Sequence, residues 1–320
     1  MKFAVVGTNF ISDRFAEACE GLENAKIEAV YSRKRDTGEA FAKKHSIPYV
    51  YTDYEEMLKS ANTDAVYIAS PTMLHKEHSI LAMRYGKAVL CEKMITATLS
   101  EFCELCEAKE RYGATVVEAM RCDFDVLLKR LPGLLPSIGR IKRARLEFCQ
   151  YSSRYDSFLA GTVLNAFDPK MKNSALADIG IYPLHLCISL FGEPRSITAS
   201  SQFLHNGFEG SGNISLDYGD FVADVAYSKT FEGENVSRIE GEGGTILIGR
   251  VNEPRYITVI NDGVETLISA PEGSSNMRNE IAEFIRMATE DKNGADRLFA
   301  LSASVMRWVD EAYRQIGISF

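Results

Sequence analysis

Two groups of residues in this 320-residue chain have types and spacing that can do chemistry. The first is Lys93, which follows Glu92 at the end of the apolar run Ala88-Val89-Leu90-Cys91. An ammonium set against apolar walls and a second positive group is disfavoured, so its pKa falls toward working pH. Such a lysine passes a proton to or from a hydroxyl or carbonyl oxygen. A surface lysine that lays its stem on apolar neighbours reads the same way. The second group is Asp178, Tyr182 and His185, at positions i, i+4 and i+7. On an ideal helix these lie within roughly 60° of one another. An acid, a phenol and an imidazole on one face orient a substrate hydroxyl and steer a proton. Pro183 disfavours helical geometry at Tyr182, so the helix kinks or restarts there. His185, between Leu184 and Leu186, fits a satisfied core histidine as well as a substrate contact.

The elements that must position these groups begin at the N-terminus. Phe3-Ala4-Val5-Val6 reads as a buried parallel strand. Gly7 breaks it, and Ile11, Phe15 and Ala18 then recur at helical spacing. A strand turning sharply into a helix aims first-turn amides and a positive dipole end at the turn, where a phosphate sits. The turn reads Gly7-Thr8-Asn9-Phe10-Ile11-Ser12 against the pattern G-x-G-x-x-G. Asn9 tolerates a left-handed backbone and Ser12 is small enough for close packing. An ordinary turn without a ligand has the same pattern.

A second strand, Lys26–Tyr31, runs into Ser32-Arg33-Lys34-Arg35, with no acid before Asp36. Cations and a hydroxyl at this place favour a ribose 2′-phosphate over a free 2′-hydroxyl, hence NADP over NAD. A solvated basic turn ahead of a helix over 37–44 is the alternative. Tyr49–Tyr51, Ala65–Ala69, Ala88–Cys91 and Thr115–Val117 are further strands, alternating with helices over 54–60, 75–85 and 99–112. Near-continuous apolar strands alternating with helices predict a doubly wound parallel sheet of the Rossmann type. Ligands of such sheets gather at the carboxyl ends of the strands. Those ends are Gly7-Thr8-Asn9, Ser32-Arg33, Ser70-Pro71, Glu92-Lys93 and Glu118-Ala119-Met120.

After residue 120 the pattern changes. Ile141–Tyr151, Ser196–Leu204, Gly212–Tyr218, Phe221–Phe231 and Val236–Ile248 alternate as antiparallel strands do, and Asn261-Asp262-Gly263 carries a hairpin signal. Helices over 279–289 and 297–316 close the chain. The expectation is a dinucleotide-binding domain over 1–119 and an α+β domain with an open, mainly antiparallel sheet over 120–320.

Composition bounds the partners. With 46% hydrophobic and 25% charged residues the chain builds a sizeable core, and a net charge of -8 argues against nucleic acid. No run reaches membrane-span length, and the apolar stretch after Lys2 is too short for a signal peptide. Seven cysteines without framework spacing read as a reduced cytoplasmic protein. Cys103-x-x-Cys106 falls inside a helical pattern and reads as packing rather than a redox pair. His75 and His78 lack the further ligands a zinc site needs, so no metal is expected.

The turn at Gly7, Ser70-Pro71-x-x-x-His75, Gly86-Lys87-x-Val89-Leu90-Cys91-Glu92-Lys93, Glu118-Ala119-Met120 and Asp178-x-Gly180-x-Tyr182 stand in order along the chain. Together they resemble the Gfo/Idh/MocA oxidoreductases over essentially the whole length. Tyr at position 182 matches the dimeric dihydrodiol dehydrogenase and glucose–fructose oxidoreductase type, whereas inositol-type members carry His there. The resemblance implies hydride transfer between NADP (or NAD) and a secondary alcohol or ketone of a sugar, polyol or dihydrodiol-like substrate. It makes Lys93 the proton-transfer residue, Glu92 its motif neighbour, and Asp178 and Tyr182 the substrate-side groups, with His185 beside them. Gly7, Thr8, Asn9, Phe10, Ile11, Ser32, Arg33, Ser70, Pro71, His75, Glu92, Lys93, Met120 and Arg121 would line the cofactor. Met94 stands where the family carries proline, which leaves the lysine turn less fixed by its own residue, and Arg121 where relatives usually carry an aromatic. Homodimers or homotetramers paired through the open sheet are expected. A sensor that keeps the fold and binds the cofactor without turnover is the alternative.

Overall fold

Each apolar run of the N-terminal part becomes a strand and each 3.6-periodic run a helix. In the computed structural model, which describes residues 1–320, these are strand β1 (Lys2–Val6), helix α1 (Phe10–Glu20), β2 (Lys26–Tyr31), α2 (Arg35–Lys44), β3 (Tyr49–Tyr51), α3 (Tyr54–Ser60), β4 (Ala65–Ile68), α4 (His75–Arg84), β5 (Ala88–Glu92), α5 (Leu99–Tyr112) and β6 (Val116–Ala119). All six strands are parallel, in the order β3-β2-β1-β4-β5-β6. The chain leaves β1 toward one edge and returns at β4 toward the other, so the switch point of this Rossmann sheet lies between them. Helices cover both faces, which is why the central strands are apolar throughout. Phe15 of α1 stacks on Tyr67 of β4 with centroids 3.8 Å apart.

The second part holds α6 (Leu131–Leu134), β7 (Ile141–Cys149), α7 (Tyr155–Leu159), a π-helical turn (Leu176–Gly180) that continues into α8 (Ile181–Phe191), and strands β8 (Ser196–Phe203), β9 (Glu209–Asp217), β10 (Val222–Ser228), β11 (Ser237–Gly241), β12 (Gly244–Ile248), β13 (Tyr256–Asn261) and β14 (Val264–Ser269). The eight strands form one sheet, β14-β13-β12-β11-β7-β10-β9-β8, antiparallel except for the β7–β10 pair. The run 236–248, expected as one strand, folds into the β11–β12 hairpin. Asp262 and Gly263 both take positive φ at the β13–β14 turn, as the hairpin signal requires. Alternation sorts the faces: Ala144, Leu146 and Phe148 of β7 are buried on the inner one. Arg143 and Arg145 stand opposite, where they pair with Asp224 and Glu240 across strands.

Helices α9 (Asn276–Thr289) and α10 (Lys292–Ile316) close the chain. Two compact units result, Met1–Met120 with Ser275–Ser302, and Arg121–Ser274 with Ala303–Phe320. The expected single cut before residue 120 therefore needs amending for residues 275–302. The reason is apolar: Phe284 of α9 is fully buried with its ring 5.9 Å from that of Phe3 on β1. No helix is long and apolar enough to cross a membrane.

Candidate functional site

In the first unit, Gly7 ends β1 at φ +104, and a Cβ there would lie 2.8 Å from the Ala69 carbonyl oxygen. Only glycine fits both constraints. Asn9, expected to turn in the left-handed region, is instead extended and caps α1. Its Oδ1 accepts from the Ile11 and Ser12 amides at 3.0 and 3.2 Å, and its Nδ2 donates to the Ala69 carbonyl at 2.8 Å. Thr8 is half-buried, Asn9 and Phe10 are exposed, and Ile11 packs inward. At the end of β2 the Ser32 hydroxyl is buried, 2.6 Å from that of Thr37, while Arg33 and Lys34 are exposed. A backbone that can be approached closely at Gly7, the dipole end of α1 beside the switch point and two exposed cations beyond β2 fit a dinucleotide carrying a 2′-phosphate.

The ends of β4 and β5 are tied together by α4. Ser70 and Pro71 are half-buried. The Ser70 hydroxyl lies 3.0 Å from His78 Nδ1, and burial pushes the His78 imidazole down to about 4. His75 Nε2 lies 2.7 Å from the Ser70 carbonyl oxygen and its Nδ1 2.8 Å from that of Met94. Carbonyls only accept, so the ring bridges both loops as a double donor when protonated, against the downward pull of burial on its pKa. The Lys93–Met94 peptide is cis. Beyond it the Ile95 amide donates to Glu118 Oε1 at 2.9 Å, and Glu118 Oε2 accepts from Ser302 at 2.6 Å. Met94, in the place of a proline, is thus followed by backbone held from two sides. Lys93 itself is half-buried. Glu92 is buried and accepts from the Tyr67 hydroxyl at 2.6 Å.

Two of the expected cofactor-side residues are buried, His75 with both ring nitrogens beside backbone carbonyls and Met120 with its side chain in the core.

In the second unit, the turn Leu176–Gly180 starts from buried acceptors. The Leu176 amide donates to Glu209 Oε2 at 2.9 Å and the Ala177 amide to the Ser174 hydroxyl at 3.0 Å. Burial pushes the Glu209 carboxyl up, while the Leu176 amide bond pulls it down. The wider π-turn lets the helix restart at Ile181 with Pro183 in its first turn. Gly180 lies flat on Tyr227, where a Cβ would come within 2.6 Å of the ring. Asp178 is half-exposed, and its Oδ2 accepts from Lys229 Nζ at 2.8 Å. Tyr182 is 5% exposed and meets Phe148 edge-on at 5.8 Å.

His185 has no exposed surface, as the satisfied core histidine would, and its Nε2 lies 2.8 Å from Asp123 Oδ1. Arg121 opens a 3₁₀ turn, Arg121–Phe124, and is half-buried. Sequence reasoning missed Lys229, Glu209 and Asp123. Lys229 alone left a signal, because it keeps the inward parity of Ala223, Val225 and Tyr227.

Residues 1–120 match the model of the oxidoreductase family with an NAD-binding Rossmann fold, and residues 136–247 match the GFO/IDH/MocA C-terminal domain. Scyllo-inositol 2-dehydrogenase (NADP(+)) IolU of Bacillus subtilis is 38% identical over 100% of this chain and 98% of its own. Trans-1,2-dihydrobenzene-1,2-diol dehydrogenase of Danio rerio is 28% identical over the same shares. Among solved structures, KijD10, a 3-ketoreductase from Actinomadura kijaniata in complex with NADP and TDP-benzene, superposes with a TM-score of 0.88 at 19% identity, covering 99% of this chain and 98% of that one. Matches to both family domains and a full-length relative at this identity carry the conclusion: the chain belongs to the Gfo/Idh/MocA family of oxidoreductases.

Proposed function

We propose that this enzyme is an NADP(H)-linked dehydrogenase of a cyclic polyol, a six-membered ring bearing neighbouring hydroxyls. That ring is what the names of the inositol and dihydrodiol relatives have in common. The alternative of a sensor without turnover has no support, since both named relatives are dehydrogenases. The observation that carries the reading is Lys93 at the carboxyl end of β5, on a turn whose backbone is held from both sides.

Bound NADP⁺ supplies the acceptor for the hydride that leaves the carbinol carbon. Lys93 takes the hydroxyl proton as the amine and returns it as the ammonium in the reverse direction. Asp178 and Tyr182 hold the alcohol oxygen and its neighbour hydroxyl, the carboxylate accepting and the phenol donating. Gly7, Thr8, Asn9 and Phe10 carry the pyrophosphate at the head of α1, and Arg33 and Lys34 the 2′-phosphate. The charged outer face of the eight-stranded sheet supports pairing as a homodimer or homotetramer, and seven free cysteines support a reducing, cytoplasmic setting.

The test offers NADP⁺ or NAD⁺ with scyllo-inositol, trans-1,2-dihydrobenzene-1,2-diol and open-chain polyols, and follows nicotinamide absorbance. Turnover of a ring diol with NADP⁺ is expected, and reduction only with open-chain polyols would overturn the ring reading. Arg33→Asp should shift the NADP⁺/NAD⁺ preference by about tenfold toward NAD⁺. An unchanged ratio would remove Arg33 from the phosphate site.

A further inference from the structure

Lys229 stands one residue beyond β10 and is 2% exposed. Its Nζ donates to the Ala166 carbonyl at 2.7 Å and to Asp178 Oδ2 at 2.8 Å. The same nitrogen lies 4.8 Å from the ring centroid of Phe167 and 5.1 Å from that of Phe208. A buried ammonium is costly unless it meets acceptors, a counter-charge or the faces of aromatic rings. This one meets all three. The rings are themselves fixed in a small core with Phe158, Tyr155 and Leu204. The backbone is tied as well, the Lys229 amide donating to Gly210 at 2.9 Å and its carbonyl accepting from Ser152 at 3.0 Å.

The two partners of the ion pair are buried unequally. The Lys229 side chain is 3% exposed and that of Asp178 37%. Removing one partner of a buried pair is costly, yet replacing the pair by apolar groups of similar size is often neutral or stabilising. Stability alone therefore gives little reason for a caged ammonium here. An immobile cation behind a half-open carboxylate does have a use in orientation, because it fixes the rotamer of that carboxylate.

We propose that Lys229 is the positioning residue of the substrate-side site, holding the Asp178 carboxylate as an oriented acceptor for a substrate hydroxyl. Through the Ala166 carbonyl and the Phe167 ring it also couples that carboxylate to the segment 165–167. The proposal rests on the reading of Asp178 as a substrate-side group.

Lys229→Met keeps the length of the stem inside the aromatic cage and folds, whereas Lys229→Arg keeps the charge. Both are assayed with NADP⁺ and scyllo-inositol, alone and combined with Asp178→Asn, alongside NADPH titration and thermal melting. Lys229→Met should lower kcat/KM by about 30-fold or more with NADPH affinity within about twofold of the parent, and the same change in Asp178→Asn should cost less than about threefold. Lys229→Arg should recover part of the loss. An equal factor in both backgrounds, or a loss that follows the melting temperature across the variants, would overturn the positioning role. If Asp178→Asn is impaired and Lys229→Met is not, the role of Lys229 fails and the functional reading stands. If Asp178→Asn is unimpaired, the reading of Asp178 fails and this proposal with it.

Discussion

The turn that carries Lys93 and the turn that carries Asp178 are held in opposite ways. Around Lys93 the backbone is gripped by its neighbours. The His75 ring nitrogens lie within 2.8 Å of the carbonyl oxygens of Ser70 and Met94, and Glu118 takes the Ile95 amide. Around Asp178 the half-exposed carboxylate is itself half of an ion pair, with the buried Lys229 behind it. Beneath it Glu209 caps the turn and Tyr227 lies flat on Gly180. On the proposed roles, a group that gains and loses a proton is served by a rigidly held main chain. A group that must only accept is served by a fixed rotamer. The contrast predicts that Lys93→Met loses chemistry and keeps structure, while a change in the packing beneath Asp178 costs stability and activity together.

The sharpest way to break this contrast is Lys93→Met. The kcat should fall by about 10³-fold, within the range of acid–base contributions, with NADPH affinity and melting temperature near the parent's. A parallel loss of cofactor affinity would show that the amine is bound up in holding the fold or the ligand. Next in size is Gly180→Val, which puts branched carbons where the Tyr227 ring already lies. Urea unfolding should show about 1–3 kcal/mol of destabilisation from overpacking, and kcat should fall with it. Unchanged stability would mean that the turn relaxes more readily than the contrast requires.

The smallest effect concerns acid. The His78 imidazole is held down to about 4 by burial, against an unfolded value near 6.5. Between those values the unfolded chain binds the extra proton, so stability is complete above about pH 6.5 and is lost as pH falls toward 4. About 1–2 kcal/mol, discounted for partial exposure, should go over that window. His78→Phe should flatten the slope in melts at successive pH values, and an unaltered slope would assign the proton to another group.

What could be read from the chain follows the same division. Strand and helix order in the first unit were visible because buried parallel strands are apolar on both faces and stop at glycine or at polar ends. The positions of Gly7, Ser70 and Lys93 follow directly from those stops. The supporting residues were not visible, because nothing local distinguishes a Glu118 that accepts an amide 23 residues away from one that faces water. His185 and Asp123 illustrate the limit: a histidine between two leucines gives no sign of which carboxylate it meets. The return of residues 275–302 to the first unit was hidden for a related reason, since an amphipathic helix shows that it has an apolar face and not which sheet that face will cover. Lys229 was legible in principle, through its parity along β10, and a lysine on an inward position is a signal worth following.

Asn9 closes the end of α1 before any ligand arrives, with its own amide group standing in for two of the contacts an anion would otherwise make. The loop is therefore shaped by the chain alone and need not be assembled by its guest, which spares the encounter an entropy of ordering. On the proposed reading, it also leaves an incoming pyrophosphate the stretch ahead of the cap, Thr8 to Phe10. The anion's seat is thereby set by which amides remain unclaimed as much as by the glycine that lets it draw near.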